Sequence, residues 1–324
     1  MSTTITYRQA IINGMADALE EDDKVFLIGE DIAVAGGAFK LSEGLLERFG
    51  PRRVRDTPIS EQAIIGTAIG AAVQGLRPIA EIMFADFAGV CFDGIANELA
   101  KYRYMTGGQV SVPATIRLGN GAGAGFAAQH SQSVENWFLN VPGLKIAVPG
   151  TPADAYGLLL AAIRDPDPVL VFEHKHLFNH KGEIDDVPAA VELGVADVVR
   201  QGDDVTLVGW GIGVHHALDA AETLAAEGIA AEVLDLRTLA PLDRESIVRS
   251  VRKTGRLVVI DDDYRSCGMA AEVITSVCET RDLALHAPPS RVTFPDVPIP
   301  FAPEMERPLL PDANKVVSVA RAQF

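Results

Sequence analysis

Short β-rich apolar runs alternate with segments of helical period along most of this chain, and the alternation lapses once and then restarts. Residues 25–29, 79–83, 114–118, 144–148 and 169–172 read as strands, while 61–74, 86–104 and 152–164 carry apolar positions at helical spacing. Strands that are apolar throughout, separated by helices, predict a parallel sheet covered on both faces. The pattern fails across 176–201, where Asn179-His180-Lys181-Gly182-Glu183 is polar and turn-forming. It resumes with strands at 205–209, 231–236 and 257–260 and helices at 214–227 and 243–253. Two α/β domains, doubly wound, are therefore expected, the second smaller and the cut placed between 182 and 183. The proline-rich stretch 288–311 predicts an extended wrapping segment before a last helix near 312–321.

A length of 324 residues suits two domains. The net charge of -16 repels phosphate backbones and anionic membrane surfaces, so neither nucleic acid nor membrane is expected as a partner. The most apolar window, 63–76, is shorter than the roughly 20 residues that span a bilayer and reads as a buried helix. The first residues carry no basic patch followed by an apolar run, so no signal peptide or lipid anchor is expected. Cys91, Cys267 and Cys278, an odd and scattered set, read as buried thiols of a reducing compartment, and a cytoplasmic protein is expected.

Two stretches carry candidate chemistry. In Asp56-Thr57-Pro58-Ile59-Ser60-Glu61, Glu61 opens an apolar helix. It reads either as a first-turn acid complementing the helix dipole behind a Ser60 cap, or as a poorly solvated carboxyl of raised pKa. In Ala127-Ala128-Gln129-His130-Ser131-Gln132, His130 follows the loop Gly119 to Gly125, whose alternate glycines let backbone approach a ligand. Gln129, Ser131 and Gln132 could orient its ring, and a satisfied turn histidine is the plainer reading. Within helix 61–74, Gly66 and Gly70 stand four apart among alanines, which suits close approach of another subunit's helix.

Three other features compete. Gly209-Trp210-Gly211-Ile212-Gly213 with Asp235 approximates a dinucleotide fingerprint with its third glycine misplaced. His174, His176 and His180 beside Glu173 could suggest a metal, or simply a loop at a site rim. Asp261-Asp262-Asp263 reads as a solvated acidic turn, with a second reading as a dock for a basic segment.

Over essentially its full length the chain resembles the beta subunit of the thiamine-diphosphate-dependent component of 2-oxoacid dehydrogenase complexes, a transketolase-like group that includes acetoin dehydrogenase. The resemblance rests on Gly29-Glu30-Asp31, residues 55–61, Gly75-Leu76-Arg77-Pro78-Ile79-Ala80-Glu81, Gln129-His130-Ser131-Gln132, Pro142-Gly143-Leu144-Lys145 and residues 232–239. It implies a pyrimidine-binding domain over 1–182 and a transketolase C-terminal-like domain over 183–324. It implies that Glu61 hydrogen-bonds the aminopyrimidine of the cofactor and so promotes ionisation of the thiazolium carbon, which asks for a carboxyl of raised pKa. It puts His130 at the site mouth, orienting substrate and assisting acyl transfer to a lipoyl group. Phe87 matches an aromatic beside the aminopyrimidine, or could equally be core. Potassium ligands are implied at Ala114, Ala162, Ile163, Asp165 and Asp167.

Thiamine enzymes hold the diphosphate and its magnesium with Gly-Asp-Gly and a later Asn, and no Gly-Asp-Gly occurs here. The resemblance thus implies an alpha subunit that holds magnesium and completes the site in an α2β2 heterotetramer, with a lipoyl acyltransferase as a further partner. Glu173-His174-Lys175-His176-Leu177 and the small Ala88-Gly89-Val90-Cys91 look closer to acetoin enzymes than to pyruvate or branched-chain ones. The readings open at this point are an acetoin dehydrogenase, a pyruvate dehydrogenase and a non-catalytic scaffold subunit.

Overall fold

The computed structural model describes residues 2–186 and 188–324. The chain forms two compact units, one of Met1–Asn120 with Trp137–Leu193, the other of Gly121–Asn136 with Gly194–Phe324. The units change over at 193/194 rather than at 182/183, and residues 121–136 are counted with the second unit.

In the first unit, strands Lys145–Ala147, Val169–His174, Thr115–Asn120, Arg77–Ile82, Val25–Glu30 and Val54–Thr57 hydrogen-bond in that order, every pair parallel. Thr115–Asn120 and Val169–His174 are buried along their whole length, as a sheet covered on both faces requires. Helices Tyr7–Glu21 and Pro152–Arg164 pack against each other. Across this contact the Tyr156 hydroxyl donates to Asp17 at 2.8 Å. Thr6 and Thr151 cap these helices by accepting from the N–H groups of Gln9 and Asp154.

Three expectations for this unit are corrected. The helix expected over 86–104 is not continuous: a 3-10 turn at Ala85–Gly89 leads to π-helical turns at Gly94–Leu99 and an α-turn at Tyr102–Met105. Gly89 and Gly94 weaken a regular helix here, and a Cβ on Gly94 would press on Ile65 at 3.0 Å. Helix Glu61–Val73 is not wholly buried. Ile64, Ile65, Ala68, Ile69 and Ala72 face the core, while Gln62, Ala63, Gly66, Thr67 and Gly70 are exposed. Finally, strand Ser2–Thr6 pairs antiparallel with Lys181–Asp185, so the expected linker is partly a ladder.

The second unit has a sheet in the order Ser290–Phe294, Leu257–Tyr264, Val205–Gly209, Ala231–Asp235 and Asp197–Arg200, parallel except for the last strand. Leu207, Val233, Val258 and Ile260 meet Ala217, Ala221 and Leu224 of helix Ile212–Ala225 in its core. The proline-rich stretch is not simply extended. It supplies the edge strand Ser290–Phe294, entered after Pro289 and left at Pro295, and the helical turn Pro303–Glu306. Proline suits these positions because an edge strand's ends and a first helical turn need no N–H donor. No helix among the described residues is long and apolar enough to cross a membrane.

Candidate active site

The first unit's parallel strands end together, and the candidate residues collect after those ends, where open α/β sheets bind ligands. Glu30 ends Val25–Glu30, in register with Thr57 at the end of Val54–Thr57. After Thr57 the chain turns through Pro58 and Ile59 into helix Glu61–Val73, with Glu61 half-buried in its first turn. Asp56 is occupied by backbone, accepting from Ala33 N at 2.6 Å and Val34 N at 3.3 Å, and so fixes the loop after Glu30.

Ser60 does not cap the helix: it is extended and its side chain makes no capping bond. The bland reading of this motif thus loses its cap, and Glu61 is the polar group left at the helix start. The Glu61 charge reaches two neighbours. Glu30 is raised above the usual carboxylate range by burial first, then by Asp31 and Glu61. The buried Cys91 thiol is pushed up to about 12 by burial first and then by Glu61. Cys91 belongs to the irregular helical segment that also carries Phe87, whose ring meets Phe84 edge-on at 5.6 Å while remaining half-buried. Among the described residues the buried Thr57 Oγ1 has no hydrogen-bond partner. An uncapped helix-start carboxylate, a second acid, an unsatisfied hydroxyl and an accessible aromatic are a donor and acceptor set that fits a flat heteroaromatic ring.

Below the strand ends lies a charge network that the sequence reading did not single out. Arg117 is buried, with Nε and Nη2 donating to Glu173 Oε1 and Oε2 at 2.7 Å each and Nη1 donating to Glu81 Oε2 at 2.7 Å. Burial alone would lower the Arg117 pKa, but Glu173 and Glu81 drive it up, so the guanidinium keeps its charge. Burial raises Glu173 against the pull of Arg117. The register Glu81↔Arg117 is the one visible signal, two opposite charges on paired central strands.

His130 stands in the second unit, in a loop without regular structure. Gly121, Gly123 and Gly125 all have positive φ, at 88°, 95° and 73°, and Ala127 adopts φ 61°, a conformation costly for a residue with a Cβ. The His130 N–H donates to Ala127 O at 3.4 Å. Ser131 Oγ is buried and, among the described residues, has no hydrogen-bond partner, so it does not orient the imidazole as expected. Glu61 and His130 thus belong to different compact units.

The five residues suggested for potassium gather about one turn. Ala114 O accepts from Val169 N at 3.1 Å and Ala162 O from Asp165 N at 3.3 Å. The carbonyls of Ile163 and Asp165 accept from Arg77 at 3.0 and 3.4 Å. Asp165 pairs with Lys145 at 2.6 Å, and Asp167 with Arg103 at 2.5 Å. A carbonyl oxygen retains a second lone pair, so this all-oxygen set fits a hard alkali cation in its chemistry, beside the three cationic side chains Arg77, Lys145 and Arg103 already present.

The competing features resolve differently. Asp235 is wholly buried and accepts from Arg237 N at 2.9 Å, so it is not presented to a ribose. A Cβ on Gly209 would meet the Gly213 backbone at 2.8 Å, which makes that glycine a packing residue. No group of three or more His, Cys, Asp or Glu among the described residues is arranged to hold a metal, and His174 Nδ1 accepts from His176 N at 3.3 Å. Asp261 and Asp263 are not solvated: they are 1% and 5% exposed, because the strand Leu257–Tyr264 runs through them before it reaches the surface. Of the three cysteines only Cys91 is buried; Cys267 and Cys278 are exposed.

The family model described as transketolase, pyrimidine binding domain matches residues 3–181, and that described as transketolase, C-terminal domain matches 194–316. The acetoin:2,6-dichlorophenolindophenol oxidoreductase subunit beta of Bacillus subtilis is 46% identical, covering 98% of this chain and 97% of the relative. The 2-oxoisovalerate dehydrogenase subunit beta of the same organism is 45% identical, with 98% of both chains covered. The mitochondrial pyruvate dehydrogenase E1 component subunit beta-2 of Oryza sativa subsp. japonica is 44% identical over 98% of this chain and 85% of its own. A solved structure titled split gene transketolase, inactive beta4 tetramer superposes with a TM-score of 0.80 at 26% identity over 98% of each chain.

Proposed function

The chain belongs to the family of transketolase-like beta subunits shared by acetoin, branched-chain 2-oxoacid and pyruvate dehydrogenases, and from that premise we propose that it is the beta subunit of a thiamine-diphosphate-dependent acetoin dehydrogenase. The observation that carries the cofactor reading is Glu61 at an uncapped helix start, its charge felt by Glu30 and Cys91.

Thiamine diphosphate, when bound, supplies an electron sink for cleaving the bond beside a carbonyl. This chain's share of the work is positional and protonic. Glu61 would hold an aminopyrimidine ring nitrogen through a hydrogen bond, and Phe87 would pack against that ring. His130 orients the substrate and gives a proton to the sulfur released when a lipoyl disulfide takes the acyl group. The chain has no Gly-Asp-Gly, so magnesium and diphosphate belong to an alpha subunit. Val34, Ile59 and Tyr104, at 85%, 77% and 89% exposed, are apolar side chains of the first unit that such a partner would cover. The exposed stripe of Gly66 and Gly70 suits subunit contact, since a Cβ at either position would meet nothing within 4 Å. The assembly in this reading is α2β2, cytoplasmic, served by a lipoyl acyltransferase and fitted with potassium at the turn about Asp165.

The preference for acetoin rests on the short wall after Phe87. Ala88 is buried and Gly89 contributes no side chain of its own, with the Trp137 indole 3.5 Å from where its Cβ would stand. The test is reduction of dichlorophenolindophenol by this chain co-purified with a candidate alpha subunit, thiamine diphosphate and magnesium. Acetoin should be turned over in preference to pyruvate and branched-chain 2-oxoacids, and only with both subunits. A preference for pyruvate would move the chain to that branch. A stable cofactor-binding complex inert toward all of them would favour a scaffold.

A further inference from the structure

The loop that carries His130 has no secondary structure of its own, so something else must set where the imidazole stands. Two polar tethers bracket it. At one end Gly123 N donates to Glu306 Oε1 at 2.8 Å; at the other Ser133 Oγ donates to Asp262 Oδ2 at 3.1 Å. His130 lies between the two.

Glu306 is built for this contact. It is 1% exposed, yet it sits in a proline-bounded surface segment rather than in a core element. The turn Pro303–Glu306 holds its backbone: Glu306 N donates to Ala302 O, and Leu309 N to Glu306 O, each at 2.9 Å. The residue before Gly123 is anchored too, since Ala122 packs in an apolar cluster with Phe294 and Ile299, against which Leu309 and Leu310 also lie. A carboxylate is withdrawn from water here to accept a backbone N–H from a glycine in a left-handed conformation, φ 95°. Charge-assisted bonds of this kind are shorter and stronger than neutral ones.

We propose that Glu306 is a positioning residue for the His130 loop, fixing through Gly123 the geometry with which His130 serves acyl transfer to a lipoyl group. This rests on the role given to His130 above and adds the element that enforces it. The proline-rich segment then acts on the chemistry without contributing a reacting group. A displacement on the order of 1 Å in such a group costs about 100-fold in rate.

The test uses the assembled enzyme with its alpha subunit and two readouts, dye reduction and acyl transfer to a lipoylated carrier domain. Glu306→Ala should lower transfer about 10- to 100-fold and dye reduction, in which His130 only orients the substrate, by a clearly smaller factor. Glu306→Gln, which keeps an amide oxygen to accept the Gly123 N–H, should restore transfer. A parallel fall of both activities would overturn the inference and mark Glu306 as a general packing residue. Normal transfer by Glu306→Ala beside impaired transfer by His130→Ala would overturn it while leaving the His130 reading intact. Normal transfer by His130→Ala would instead remove that reading, and the inference with it. Should Glu306→Ala fail to fold, Ser133→Ala cuts the second tether with little change in volume; it should lower transfer relative to dye reduction, and wild-type transfer would count against the inference.

Discussion

The guanidinium of Arg117 lies across both carboxylate oxygens of Glu173, at 2.7 Å to each, with no solvent to share the charge. Two carboxylates and one guanidinium buried in the central strands make the network sensitive to losing its cation. Arg117→Ala should destabilise the chain by about 3 to 5 kcal/mol, the usual cost of stranding buried charge. Arg117→Lys should recover only part of this, because an ammonium cannot make the paired contact. Denaturant unfolding of the assembled enzyme measures both; a loss under about 1 kcal/mol for Arg117→Ala would mean that the carboxylates find other partners.

Asp263 titrates in the wrong range for a surface acid. Burial first, then the charges of Asp261, Glu135 and Asp262, push it up to about 9. Burial likewise raises Asp261 to about 6. The folded chain therefore keeps a proton that the unfolded chain, with an Asp pKa of about 3.9, gives up. This contribution to stability is complete below about pH 4 and is lost as pH rises through about 9. The Tm of wild type should fall more steeply between pH 5 and 9 than that of Asp263→Asn, with the variant the more stable at pH 8.5. Parallel slopes in scanning calorimetry would show that Asp263 ionises normally in the fold.

Glu61→Gln should lower turnover of the assembled enzyme by about 100-fold or more, the scale of a positioned acid or base. Folding and subunit assembly should be unchanged, since Glu61 makes no cap that the fold depends on. Steady-state dye reduction measures the first and gel filtration the second. Full turnover would return Glu61 to the role of a first-turn dipole residue.

Gly66 separates the chain's own stability from its assembly. A Cβ there meets nothing within 4 Å, so Gly66→Ala should stabilise the isolated chain by about 0.5 to 1 kcal/mol through helix propensity. Gly66→Leu should fold equally well and fail to co-purify with an alpha subunit. Normal assembly of Gly66→Leu would place the subunit contact elsewhere.

Element order was readable because the parallel strands are largely apolar and the segments between them keep a helical spacing of apolar residues. What escaped has specific physical causes. The Ser2–Thr6 and Lys181–Asp185 ladder is polar and partly exposed, so it carries no period-two signal. The winding of residues 85–105 depends on Gly94 meeting Ile65, a tertiary contact. Asp261 and Asp263 read as surface because acids usually are, and only their place on an inner strand buries them. At the candidate site Glu61 stood out by its setting between proline and an apolar helix. Glu306 did not, because its partner is a backbone N–H 183 positions earlier and no side-chain pattern encodes that pairing.

The counting of residues 121–136 with the second unit has a practical corollary for dissecting the molecule. No single cut yields two intact halves: a fragment ending at Leu193 would carry the glycine-rich loop without Glu306 and Asp262 to receive it, and a fragment beginning at Gly194 would present those acceptors with nothing to hold. Separate expression of the halves should therefore yield complementary fragments that regain the tethers only when mixed, and grafting the C-terminal unit from a relative would require transplanting residues 121–136 with it.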